Sequence, residues 1–98
     1  MSDGQPAWTL AGFETQLDAW IAIEQPSQDL VLVVLTWLVG RRDDPYQGVR
    51  RQQDMPNLWF GTIPGTDEAG TVVTCSYFVE ESTRRVQCVV LGTLNRPV

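Results

Sequence analysis

The chain has 98 residues, 43% of them hydrophobic and 19% charged, with 12 acids against 7 basic residues for a net charge of −5; this is one domain's worth of globular composition, residues 1–98, and not a disordered one. All seven basic residues are arginine, and there is no histidine or lysine, which excludes Ser-His-Asp and Cys-His catalysis and removes the commonest metal ligand. With Cys75 and Cys88 as the only soft ligands, no metal or cofactor site is expected.

The charge is uneven. Residues 1–49 hold seven acids and two arginines, whereas residues 50–98 hold five of each. An acidic chain is repelled by nucleic acid on average, so any RNA contact needs a local arginine patch. The candidates are the pairs Arg41-Arg42, Arg50-Arg51 and Arg84-Arg85; solvated edges and hairpin ends are the plainer reading of the same pairs.

The N-terminal MSDGQPAWTL has no basic n-region and no apolar h-region, unlike a signal peptide. The longest apolar run, Leu30–Val39, is half a membrane span. The expectation is a cytoplasmic protein with reduced cysteines and no membrane partner. A very short strand or lead-in falls at Trp8–Leu10. Next, Leu10, Phe13, Leu17, Trp20 and Ile21 form a helical stripe. Gln25-Pro26-Ser27 ends it, since Pro26 disfavours helical geometry at Gln25 and Ser27 is a good cap for a following helix. For residues 28–40 the signals compete. Five β-branched residues favour a strand, while the length, the cap and Gly40 favour a helix, which is the reading adopted. A helix so apolar all round needs cover on most sides.

Residues 57–63 (NLWFGTI) read as a strand followed by a Pro64-Gly65 turn. GTIPGT lacks the lysine and following helix of a phosphate loop. Residues 70–80 and 84–94 read as a hairpin about Ser82-Thr83. The expected register pairs Val79 with Val86, Tyr77 with Cys88, Cys75 with Val90 and Val73 with Gly92 on one apolar face. The other face pairs Glu80 with Arg85, Phe78 with Gln87, Ser76 with Val89 and Thr74 with Leu91. A one-residue slip would exchange the faces, so the pattern supports its own register. Cys75 and Cys88 then share a face diagonally, as buried free thiols. The fold expected is α+β, an N-terminal helical hairpin packed on a C-terminal antiparallel β-meander. Trp59 points opposite to Leu58 and Phe60; it is either core cover or an exposed platform for a base or a partner.

In order and landmarks the chain resembles the RelE/ParE toxin superfamily. The matching features are the short strand at Trp8–Leu10, the two helices, Asp44-Pro45 after the second helix, the strand Asn57–Ile63, and the hairpin Gly70–Glu81 and Arg84–Thr93 with its acidic turn. The resemblance covers nearly the whole chain. It implies a toxin or toxin-derived component of a type II toxin–antitoxin-like system. RelE- and HigB-like relatives cut mRNA on the ribosome, ParE-like relatives act on gyrase, and a small antitoxin holds each inactive. An antitoxin-like protein or a homodimer is the partner it implies. If the chain cuts, the resemblance implies a ribosome-dependent endoribonuclease; the alternatives are a non-catalytic interaction module on the toxin fold and a gyrase-directed ParE-like inhibitor. RNA cleavage asks for a base at the 2′-OH, cations on the phosphate and an acid for the leaving oxygen. The family's arginine after the loop falls near Val72 or Val73, and its C-terminal Tyr or His falls on Leu94-Asn95-Arg96-Pro97. The residues left for catalysis are Arg50, Arg51, Arg85 and Arg96. Tyr46, Trp59 and Arg84 are left for partner binding. Arginine holds phosphate well and is a poor base.

Overall fold

The computed structural model describes residues 7–95. Strand β1 (Thr9–Ala11) leads into helix α1 (Phe13–Glu24) and helix α2 (Gln28–Gly40), and four strands follow: β2 (Arg50–Arg51), β3 (Leu58–Thr62), β4 (Thr71–Glu80) and β5 (Arg85–Asn95). They form one sheet in the order β1-β5-β4-β3-β2. The expected α+β architecture is therefore present, with two additions. β1 pairs in parallel with β5 at one edge, and β2 pairs with β3 at the other.

Residues 28–40 are helical despite their valines. The Ser27 hydroxyl accepts a hydrogen bond from the Leu30 amide at 3.2 Å, and Asp29 sits in the first turn, where it suits the helix dipole. Helix α1 closes with Gln25 in the left-handed region, its amide donating to the Ile21 carbonyl, and Pro26 prevents continuation. At the other end Gly12 has φ 77°, and a Cβ there would lie 2.6 Å from Gln87 Nε2. Only glycine lets the chain turn from β1 into α1 this close to β5.

Both helices lie on one face of the sheet. Trp20 crosses to β5 and donates its indole N–H to Thr93 Oγ1 at 2.9 Å. The core between the layers contains Trp8, Phe13, Trp20, Val34, Leu38, Ile63 and the odd-numbered β4 residues Val73, Cys75, Tyr77 and Val79. The hairpin register matches expectation from Glu80–Arg85 to Tyr77–Cys88. The loop itself has four residues, with the Arg84 amide donating to the Glu81 carbonyl at 3.2 Å. Beyond Tyr77 the register departs from expectation: Ser76 pairs with Val90, Cys75 with Leu91, Thr74 with Gly92 and Val73 with Thr93. A β-bulge adds one residue to β5. Its effect is to bury Leu91 and leave Val89 and Val90 exposed. The cysteines are free and buried, their Sγ atoms 3.9 Å apart. The hydrogen bond with Cys88 and then burial push the Cys75 thiol up.

Between α2 and β2 the chain is anchored from inside. Arg41 is 3% exposed. It donates from Nε to the Trp37 carbonyl (3.2 Å) and from Nη1 to the Gln47 carbonyl (2.6 Å), and stacks 3.9 Å over the Trp37 ring. The buried Tyr77 hydroxyl donates to the carbonyl of Pro45. No helix among the described residues is long and apolar enough to cross a membrane.

Candidate functional site

Side chains alternate across a strand, so the even-numbered β4 residues face away from the helices. Cross-strand partners share a face, which places Leu58, Phe60, Phe78, Glu80, Arg85, Gln87 and Arg50 on this open side. Phe78 is 36% exposed, Val90 48% and Leu94 50%. Phe60 and Phe78 are diagonal neighbours across β3 and β4, a backbone spacing of about 7–8 Å. Exposed aromatic rings on a sheet face are the element with which sheets stack unpaired bases.

Phe78, Glu80, Arg85 and Gln87 line a hollow of about 300 Å³. Arg85 Nη2 donates to Gln87 Oε1 at 3.1 Å, and the Thr83 hydroxyl donates to Glu80 Oε1. A second, wider hollow is lined by Arg50, Arg51, Gln52, Gln53 and Phe60. The two are far apart. Arg50 lies level with Ser76 on β4 and Arg85 with Glu80, three strands across and four residues along. At ~4.8 Å per strand and ~3.3 Å per residue, their Cα atoms are about 19 Å apart. They bracket a stretch of extended ligand rather than converge on one phosphate.

Each arginine pair of the sequence is divided by the fold. Arg41 is buried and Arg42 is exposed. Arg50 pairs with Phe60 on the open face and Arg51 with Trp59 on the other, and both border the hollow at the β2 edge. Arg84 stacks 4.4 Å over the Trp8 ring, and Arg85 lies on the open face. Arg96 falls outside the described residues.

Tyr46, Trp59 and Arg84 do come together, but at the core's margin. Arg84 covers Trp8, Trp8 meets Tyr46 edge-on (6.0 Å between centroids), and Tyr46 meets Trp59 edge-on (4.9 Å). Trp59 is partly buried against the core on the helix side. The Tyr46 hydroxyl donates to Glu81 Oε1. Burial first, and then that carboxylate, push the Tyr46 phenol up to about 12. It is held protonated and engaged at neutral pH.

Two open-face residues that composition did not single out for chemistry are Phe78 and Glu80. Beside a hairpin turn a solvated acid is the default; the cross-strand pairing of Glu80 with Arg85 was the signal that it shares a hollow with a cation. A carboxylate can accept a 2′-OH proton and arginine can hold a phosphate. The described part of this face offers no histidine, lysine or tyrosine to protonate a leaving oxygen.

No known family profile matches the chain, and no curated protein matches it significantly. Among solved structures it is similar to a double arginine-to-alanine mutant of the toxin RelE from E. coli in the free state. That match has a TM-score of 0.60 at 16% identity and covers 88% of this chain and 82% of that one. The chain has the RelE-like toxin fold.

Proposed function

We propose that the chain is a toxin-like component, with an antitoxin-like partner, that works by binding single-stranded RNA across the open face of its sheet. The observation that carries this reading is the segregation of charge and aromatics. Helices α1 and α2 carry acids and no arginine, while Arg50, Arg85, Phe60 and Phe78 share the face that points away from them. Stacking on the two rings and phosphate contacts at the two arginines give binding that tolerates any base sequence. Binding is favoured over cutting because Glu80 and Arg85 supply two of the three groups that cleavage needs, and the third is not among the described residues of this face. Cleavage at the ribosome would require a proton donor from outside the described part of this face.

The test is growth of a bacterial host expressing the protein. Wild type arrests growth, Arg50→Ala with Arg85→Ala relieves the arrest, and Glu80→Gln leaves it intact. Full growth with abundant folded wild type would overturn the reading. Relief by Glu80→Gln together with new mRNA ends would favour cutting.

A further inference from the structure

Two thiols in the core have no part in RNA binding. Cys75 on β4 and Cys88 on β5 belong to the core on the helix side of the sheet, and their Sγ atoms are 3.9 Å apart. Diagonal neighbours in a regular ladder stand about 7–8 Å apart at the backbone; here the two side chains lean across that gap until the sulfurs touch. A disulfide, at about 2.05 Å, asks for a further approach of roughly 2 Å. The slack for it lies beside them. The β-bulge leaves Val89, the residue after Cys88, without a partner on β4, and a strand bends where its ladder is interrupted in this way. The thiols are not equivalent. Cys75 is 0% exposed and Cys88 6%. Over Cys88 lies the bare backbone of Gly12, where an added Cβ would stand 3.7 Å from that of Cys88. The hydrogen bond between the sulfurs and then burial push the Cys75 thiol up, while the same hydrogen bond draws the Cys88 thiol down against burial. Cys88 is therefore the sulfur that a small reagent reaches first, and the one with more thiolate character.

We propose that Cys75 and Cys88 are a reversible oxidation site, at which hydrogen peroxide converts the dithiol into a disulfide that fixes the register of β4 on β5. Cys88 Sγ attacks one peroxide oxygen and the O–O bond breaks. Cys88 becomes a sulfenic acid, and its thiol proton leaves with the other oxygen as water. Cys75 Sγ then attacks the Cys88 sulfur and the S–O bond breaks. The departing hydroxide takes the Cys75 proton and leaves as a second water. Two thiols and one peroxide thus give one disulfide and two waters, with two electrons passing from sulfur to peroxide. A small dithiol reverses the change by exchange through a mixed disulfide. The run Val89, Val90 and Leu91 fits either face by composition, so packing alone sets the register in the reduced chain. The crosslink makes it covalent and constrains the unfolded chain, so the oxidised protein resists unfolding.

The experiment treats the folded full chain with hydrogen peroxide, quenches it in acid, counts free thiols and digests it with trypsin. Cleavage after Arg84 and Arg85 puts the two cysteines on separate peptides. The expected result is joint loss of both thiols and a crosslinked peptide pair lighter by two hydrogens. Non-reducing gels show no covalent dimer, and dithiothreitol restores both thiols. The urea midpoint of the oxidised protein rises, and dithiothreitol returns it. Cys75→Ser leaves Cys88 as a sulfenic acid that dimedone traps. Cys88→Ser slows oxidation of Cys75 about tenfold or more, since the remaining thiol is the buried one. Thiols that survive peroxide in the folded wild type and react only in urea would overturn the proposal, and that arm needs no variant to fold. Covalent dimers in place of the internal crosslink would overturn it too, as would a urea midpoint that falls on oxidation. Oxidation of Cys75 at the wild-type rate in Cys88→Ser would overturn the order of attack and with it the site as assigned.

Discussion

Arg41→Ala is expected to destabilise the protein more than any other single arginine-to-alanine change among the described residues. The side chain makes two charge-assisted bonds to carbonyls, each worth about 1.5–3 kcal/mol, and a cation–π contact worth about 0.5–2 kcal/mol. Two effects offset these. Burying the guanidinium has already cost several kcal/mol, and Gln47, in an exposed turn, regains water once released. The net expectation is about 3 kcal/mol, which for a chain of this size is a fall in Tm of about 12 °C. Urea unfolding followed by tryptophan fluorescence measures it. Arg41→Lys should recover less than half, because an ammonium lacks the planar fork that spans two carbonyls and lies flat on Trp37. A loss below about 1 kcal/mol for Arg41→Ala, or full recovery with lysine, would refute the claim that this side chain ties α2 to the connection leading into β2.

Two further outcomes follow from the packing and from titration. Leu91→Ala should cost about 2–5 kcal/mol, whereas Val90→Ala should cost under ~0.5 kcal/mol; the reverse order in denaturant melts would place the bulge wrongly. Tyr46 has its folded pKa raised to about 12 from an ordinary 10.0. Its contribution to stability is therefore complete below pH 10 and is lost as pH rises from about 10 to about 12, and solvent screening at this part-exposed site keeps it small. Phenolate absorbance during alkaline titration reports this directly. Glu81→Gln should lower the Tyr46 pKa, and an unchanged titration would remove Glu81 from the account.

Much of the fold was legible because its signals were local. The Ser27 cap, Asp29 and the proline before them marked α2 against its valine content. Strict alternation from Tyr77 to Val79 and from Val86 to Cys88 made the near half of the hairpin register readable. The bulge was not, since a run of Val89, Val90 and Leu91 fits either face until packing decides. Strand β2 has only two residues, too few for a period, and the parallel β1–β5 pair depends on contacts far apart in sequence. The site was legible in part. Arg50 and Arg85 were found by charge, but adjacency in sequence made each arginine doublet look like one patch. Pleating and burial then separated every doublet, and of the six arginines only Arg50 and Arg85 were placed on the open face. The aromatic content was visible, but whether Trp59 or its neighbours faced outward depended on which side the helices covered.

The central claim is that the open face holds RNA, and salt-dependent binding to unstructured single-stranded RNA tests it most directly. Each phosphate contact contributes about −0.7 to the slope of log affinity against log salt. If Arg50 and Arg85 each make one, Arg50→Ala with Arg85→Ala should flatten the slope by about 1.4, and Phe78→Ala should weaken binding by about 1–3 kcal/mol with the slope unchanged. Affinity and slope that stay at wild-type values in both variants would contradict the account.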